Sequence, residues 1–225
     1  MGPVMIQLFE NVIPPAVVAD IRAAFATIAF RDGKASAGAQ AQLVKDNLQA
    51  VPGDPAGDRI KAMLADAVFR HQEFRLAMRP RRLSPIVLSK YEPGMEYGAH
   101  VDHPLSGEDM RRDVSFTLFL SDPDTYEGGA LVMIDGGGER AFRPAAGTLI
   151  AYPATSIHRV SKVTRGARLA AVGWAQSMIR DAAERELLYD LNVARLNLFD
   201  RHGKSEDSDR LAKCAANLFR KWADL

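Results

Sequence analysis

The stretch VSFTLFL, Val114–Leu120, alternates its side chains in the way an extended chain does. Successive side chains of a strand point to opposite faces, so Val114, Phe116, Leu118 and Leu120 share one face and Ser115, Thr117 and Phe119 the other. Similar β-rich runs surround it: PIVLSKY, GALVMI, RAFRP, GTLIAY, IHRVSKV and RLAAVGWAQ. Turn-forming segments separate them, namely DPDTYEGG, DGGGE, PAAG, YPATS and TRG. Many short strands at this spacing predict an antiparallel sandwich or barrel rather than βαβ units. A double-stranded jelly roll over residues 82–177 accommodates them.

The flanks change period. Residues 1–81 are expected to be mainly helical after a short opening strand. Pro14 and Pro15 open the run VVADIRAAFATIAF, with Val17, Ile21, Ala24, Phe25 and Ile28 at helical spacing. AQLVKDNLQAV and DRIKAMLADAVFRHQEF repeat the pattern, the latter with Ile60, Leu64, Val68 and Phe69 on one face. Residues 178–225 return to helix as a hairpin. Leu187, Leu191, Ala194 and Leu198 form the expected apolar stripe of its first arm, and Glu206, Asp207 and Asp209 suit the N-terminus of the second. The predicted class is α+β.

Composition excludes several functions. With 225 residues, 47% hydrophobic and 25% charged, the chain can bury a full core without disulfides. Its net charge of +1 offers no field to draw nucleic acid or anionic lipid. The single cysteine, Cys214, allows no intrachain disulfide and is expected to be a packed, inert thiol. MGPVMIQLFENVIPP lacks the pattern of a signal peptide, and no run approaches the roughly 18 apolar residues of a membrane span. A soluble, cytoplasmic protein is expected.

The chemistry gathers around YGAHVDHPL, Tyr97–Leu105. His100, Asp102 and His103 raise the prospect of a metal site, but H-x-D alone is a weak signal. His158, on the strand expected from IHRVSKV, supplies a third ligand; alone it would read as a core histidine bonded to backbone. Two imidazoles and one carboxylate can occupy one face of an octahedral metal and leave positions for substrate and oxygen, which points to Fe(II) rather than redox-inert zinc. The residual positive charge can hold an anionic chelating cosubstrate. Arg168 follows ten residues after His158 with TRG between them, so the two strands are expected to form a hairpin and share a face. The offset of roughly 7–13 Å along the strands matches the far carboxylate of a five-carbon diacid. Arg165 belongs to the turn and to solvent. His71 reads as a surface histidine or one that supports a site from outside it, and His202 as a solvated turn residue.

HVD, then RRDVSFTLFLSDPDTYEGGALVMI, then GTLIAYPATSIHRVSKVTRGARLAAVGWAQS resembles the PKHD-type hydroxylases. These belong to the prolyl-4-hydroxylase-like branch of the Fe(II)- and 2-oxoglutarate-dependent dioxygenases, and the resemblance covers nearly the whole chain. It implies a jelly-roll core, His100, Asp102 and His158 as metal ligands, and Arg168 on the distal carboxylate of 2-oxoglutarate. His103 would point away from the face that His100 and Asp102 share. Tyr91 matches a tyrosine lining the cosubstrate pocket. Phe119 stands where some relatives carry a tyrosine, which leaves Thr117 or another hydroxyl as second contact to the distal carboxylate. No catalytic residue beyond the metal ligands is implied.

The implied reaction hydroxylates a substrate C–H bond with release of succinate and carbon dioxide, with L-ascorbate as reductant. The substrate, small molecule or peptide, does not follow from the fold. SDPDTYEGG and PLSGEDMRR near the site are expected to be ordinary connections. The expected layout is a dioxygenase domain over 1–177, in which helices over 1–81 precede the core over 82–177, followed by a C-terminal helical extension over 178–225. The alternative is a cupin-like metal oxygenase or isomerase that does not use 2-oxoglutarate.

Overall fold

In the computed structural model, which describes residues 6–225, the strand Val114–Phe119 lies inside the larger of two antiparallel sheets. It is hydrogen-bonded to Leu149–Pro153 on one side and Arg168–Ser177 on the other. Gln7–Phe9 continues the sheet beyond Leu149–Pro153. Val87–Tyr91, Leu48–Ala50 and Phe30–Asp32 continue it in the other direction, and Pro80–Leu83 pairs with the end of Arg168–Ser177. The smaller sheet runs in the order Gly138–Phe142, Leu131–Asp135, Ile157–Val160, Glu96–His100 and Lys45–Asp46. Two facing sheets of this kind, with helices outside the larger one, make the expected jelly roll.

The alternation of VSFTLFL does its sorting between two interiors. Val114, Phe116 and Leu118 pack outward into one apolar cluster with Ile21, Leu64 and Phe74 from the helices Pro15–Ala24, Pro55–Arg70 and Gln72–Met78. Phe74 meets Phe116 edge-on, with ring centroids 5.8 Å apart. Ser115 and Thr117 on the other face are buried as well. They look into the space between the sheets, where Phe119 joins Leu131, Met133, Ile150 and Tyr152 in a second cluster. Gly173 is opposite Phe116, and a Cβ there would strike the Phe116 ring and Ile86, so the close approach needs glycine.

Several expectations fail in the first 81 residues. Of AQLVKDNLQAV only Ala41 and Gln42 are helical, at the end of Ala39–Gln42. Lys45–Asp46 then pairs with the smaller sheet and Leu48–Ala50 with the larger. An apolar run this short fits either period, and two open sheet edges decide it by offering backbone partners. The helix expected over DRIKAMLADAVFRHQEF is two, divided at an extended His71 whose Nδ1 accepts from Phe74 N at 3.3 Å. That capping contact is the role of His71. His202 is exposed but ends a helix rather than occupying a turn.

The C-terminal hairpin consists of Ala182–His202 and Glu206–Trp222. Asp181 caps the first arm through Ala183 N and Glu184 N, both at 2.9 Å. Ser205 and Ser208 form a reciprocal capping box at the second. The expected stripe is only partly inward: Leu191 packs against buried Leu188, but Leu187 is 60% exposed and Ala194 is exposed, while Arg185 and Asn192 are buried. Arg185 bonds the Ile179 and Arg180 carbonyls, and Asn192 the Leu188 carbonyl, so the buried face is partly polar and escapes a search for apolar period. Cys214 is exposed, not packed, because Ala215 beside it takes the inward position. No helix of the described residues is long and apolar enough to cross a membrane.

The hairpin is tied to the core by Asp224 N to the Met178 carbonyl, by Arg111 Nη1 to Asp224 Oδ2, both at 2.7 Å, and by buried Ile179. A chain ending at Ser177 is therefore expected to be less stable or to self-associate. Thermal melting with light scattering checks this; an equally stable monomer would show the hairpin to be an independent appendage.

Candidate metal centre

His158 lies within Ile157–Val160 and His100 ends Glu96–His100, and the two are Cα partners across the antiparallel ladder. Directly opposed residues carry neighbouring side chains, and the imidazole centroids are 4.3 Å apart. Asp102 follows just past the strand end, with Oδ1 4.0 Å from His100 Nε2 and Oδ2 3.8 Å from His158 Nε2. One donor atom from each of the three lies within 4.8 Å of the others, enough to hold a metal ion. All three side chains are at least nine-tenths buried. His103 is exposed, turned to the Leu105 backbone, and outside the group.

The surroundings fix the donors. Nδ1 of His100 lies 2.9 Å from the Gly98 carbonyl and Nδ1 of His158 3.1 Å from the Ser156 carbonyl. Each ring thus donates through Nδ1 and presents its Nε2 lone pair to the centre. Burial, and then the neighbouring His158, push His100 down to about 4, so it is neutral near pH 7. Asp102 Oδ2 accepts from Ser115 Oγ at 2.6 Å and Trp174 Nε1 at 2.8 Å. Ser115 and Trp174 are themselves partners across the larger sheet. That sheet therefore orients a carboxylate carried by a chain leaving the smaller one.

Arg168 enters the same cavity from the opposite sheet, and the expected hairpin with His158 does not form. Ile157–Val160 pairs with Leu131–Asp135 and Glu96–His100, whereas Arg168 pairs with Tyr91 in the larger sheet. The TRG segment crosses between sheets, because each strand finds its partners in a different one. Arg168 is only 1% exposed, with its guanidinium carbon 5.2 Å from the Tyr91 ring and 5.1 Å from that of Phe119. Its Nε is buried without a partner, and no carboxylate pairs with it among the described residues. An uncompensated buried guanidinium is strongly unfavourable, so the donor set and this arginine together fit a metal with an anionic chelator. Thr117 and Tyr152 line the cavity beside it. Burial raises the Tyr91 and Tyr152 phenols, which keeps both as proton-bearing donors.

SDPDTYEGG is more than a connection. Gly128 and Gly129 have φ of +72° and +60°, and a Cβ on Gly128 would strike the Lys162 carbonyl. A Cβ on Gly129 would stand 3.1 Å from Arg168 Cδ. The turn thus shapes the seat of the arginine. PLSGEDMRR likewise supplies Arg112, whose guanidinium lies 3.7 Å from the Trp174 ring centroid. Tyr97 stacks on His100 at 3.6 Å, and buried Lys45 lies 5.0 Å over the Tyr97 ring. Lys45, Tyr97, Arg112, Ser115, Tyr152 and Trp174 were not expected at the site. Even spacing from Arg168 could have pointed to Trp174, but Lys45 gave no signal from a segment that resembles helix.

The family model of the 2OG-Fe(II) oxygenase superfamily matches residues 86–176, which contain every donor described. The chain is 46% identical over 223 residues to a PKHD-type hydroxylase of Synechococcus elongatus, covering 98% of this chain and 100% of the relative. A prolyl-4-hydroxylase of Pseudomonas putida shares the fold at TM-score 0.52 and 22% identity, over 77% of this chain and 93% of that one. A prolyl hydroxylase from Trichoplax adhaerens, solved with a hypoxia-inducible-factor peptide, superposes at TM-score 0.56 and 16% identity, over 81% and 86%. Near-full-length identity on both sides, and a donor set of the kind that chemistry requires, mean that this chain belongs to the PKHD-type hydroxylases, within the 2-oxoglutarate- and Fe(II)-dependent oxygenases.

Proposed function

We propose that His100, Asp102 and His158 hold the ferrous ion of this 2-oxoglutarate-dependent hydroxylase, and that Arg168 grips the distal carboxylate of the cosubstrate. The observation that carries this reading is the buried, unpaired guanidinium of Arg168 in the cavity that holds the three donors. When bound, iron and 2-oxoglutarate supply the oxidising chemistry, with succinate and carbon dioxide as coproducts.

The chain supplies position and charge. Arg168 offers two parallel N–H donors to a carboxylate, Tyr91 flanks them with its ring, and Tyr152 or Thr117 takes the place of the hydroxyl missing at Phe119. Ser115 and Trp174 hold Asp102 against rotation. Ascorbate is the reductant we infer for keeping iron ferrous. A reducing, cytoplasmic site of action suits such a metal and a chain with one thiol. We assign residues 1–177 to the dioxygenase domain and 178–225 to an extension, and infer a small-molecule or peptide substrate.

The test is proton NMR of 2-oxoglutarate incubated with protein, Fe(II), ascorbate and air. Slow succinate formation that requires both protein and Fe(II), and that disappears in His158→Ala, is expected. Absence of succinate above the protein-free rate would overturn the reading.

A further inference from the structure

Two cationic side chains line the cavity and have no role in the chemistry above. Lys45 is buried at the edge of the smaller sheet, opposite Tyr97, and its ammonium donates to Ser36 Oγ at 2.9 Å. Arg112 lies flat against Trp174, and its Nε is buried without a hydrogen-bond partner. Tyr97 lines the same cavity as both, and Lys45 sits over its ring. Ser36 occupies one of three ammonium donors, and most donors of the Arg112 guanidinium have no protein acceptor among the described residues.

The cavity, about 740 Å³, has Asp102 as its sole acidic lining residue among the described residues. A divalent metal and Arg168 together match, in charge, Asp102 and the two carboxylates of 2-oxoglutarate. Arg112, and Lys45 with Asp32 as its one further acidic neighbour outside the cavity lining, are then positive charge beyond that match, in a space where burial strengthens electrostatics. Burial pushes Lys45 down to about 8, which leaves it largely protonated near neutral pH. A cation that served only to tie Ser36 or cover Trp174 would be replaceable by a neutral group without that surplus.

We propose that the substrate presents an anionic group, a carboxylate or a phosphate, to Lys45 and Arg112 beside the metal centre. This deepens the functional reading given above and rests on it. The two residues are positioning groups: they bind and orient the substrate, and the oxidation takes place elsewhere on it.

The test uses full-length protein, anaerobic, with Fe(II) and saturating 2-oxoglutarate, and three probes: 4-fluorophenylacetate, 4-fluorophenyl phosphate and the neutral 4-fluorophenylacetamide. Fluorine line broadening by the paramagnetic centre reads binding near the metal. One or both acids are expected to bind about tenfold or more tightly than the amide. Lys45→Met and Arg112→Gln should each remove most of that preference, and which acid prevails identifies the anion. The metal-to-cosubstrate charge-transfer band, recorded on the same samples, shows that the variants are folded and loaded. Acids and amide binding equally, no probe binding at millimolar concentration, or a preference that survives both substitutions would overturn the proposal. So would a preference abolished instead by Arg168→Leu, since the acid would then occupy the cosubstrate's place. Absence of the charge-transfer band in the unsubstituted protein would instead strike at the reading of the site itself.

Discussion

Arg168→Leu is expected to weaken 2-oxoglutarate binding by about a hundredfold or more while Fe(II) still binds. The arginine is 1% exposed, offers no metal-ligating atom, and has no acid partner among the described residues. Its loss leaves a cosubstrate carboxylate buried without a counterion, which costs about 3–5 kcal/mol. Arg168→Lys should fall between, since it keeps the charge but loses the two-pronged geometry. A structural role for Arg168 predicts a different pattern. The chain without cosubstrate carries the uncompensated charge, so Arg168→Leu should melt no lower than the unsubstituted protein. The measurement is the charge-transfer absorbance of the anaerobic Fe(II) protein titrated with 2-oxoglutarate, beside thermal melts of the unloaded proteins. Equal titration midpoints for the unsubstituted protein and Arg168→Leu would sink the assignment of Arg168 to the distal carboxylate and leave another group to hold it.

The same arginine shows what a sequence reveals and what it conceals. That it lines one cavity with His158 was legible from the family resemblance. The route was not. A hairpin through TRG is the shortest connection, yet Ile157–Val160 and Arg168–Ser177 belong to facing sheets. Sheet membership depends on strands remote in sequence, which alternation cannot report. The core strands were legible because short β-rich runs recur between turn signals, some of them, like Val114–Leu120, with a period of two. Lys45–Asp46 and Leu48–Ala50 were not, because strands of two and three residues are held by the edges they join rather than by any pattern of their own. The C-terminal helices were legible as helices, but buried Arg185 and Asn192 shift the inward face away from Leu187 while Leu191 stays on it. At the site, the metal donors stood out by type and spacing. The groups that orient Asp102, namely Ser115 and Trp174, are visible only through the Ser115–Trp174 register of the larger sheet.

That register leads to a graded expectation for the metal. On the proposed donor set, His100→Ala, Asp102→Ala and His158→Ala should each remove most Fe(II) affinity, because these three are the clustered donors among the described residues and two cannot hold one face of the ion. His103→Ala should keep it, since His103 lies outside the cluster and is exposed. Ser115→Ala should fall between the two groups, at about 10–100-fold weaker binding, the range for a partner that orients a ligand without touching the metal. It removes the shorter of two hydrogen bonds on Asp102 Oδ2 and leaves that of Trp174 in place. Acid should release the metal as protons compete for the imidazoles, whose Nε2 lone pairs are the donors. The unloaded His100 holds its proton only below about 4, so binding should persist to lower pH than for a solvent-exposed histidine pair. Competition with a chelating dye, run anaerobically across pH on all five variants, reads the series. Loss of iron in His103→Ala with retention in His100→Ala would overturn the donor set, because it would place the metal on the outer face of the chain that leaves the strand.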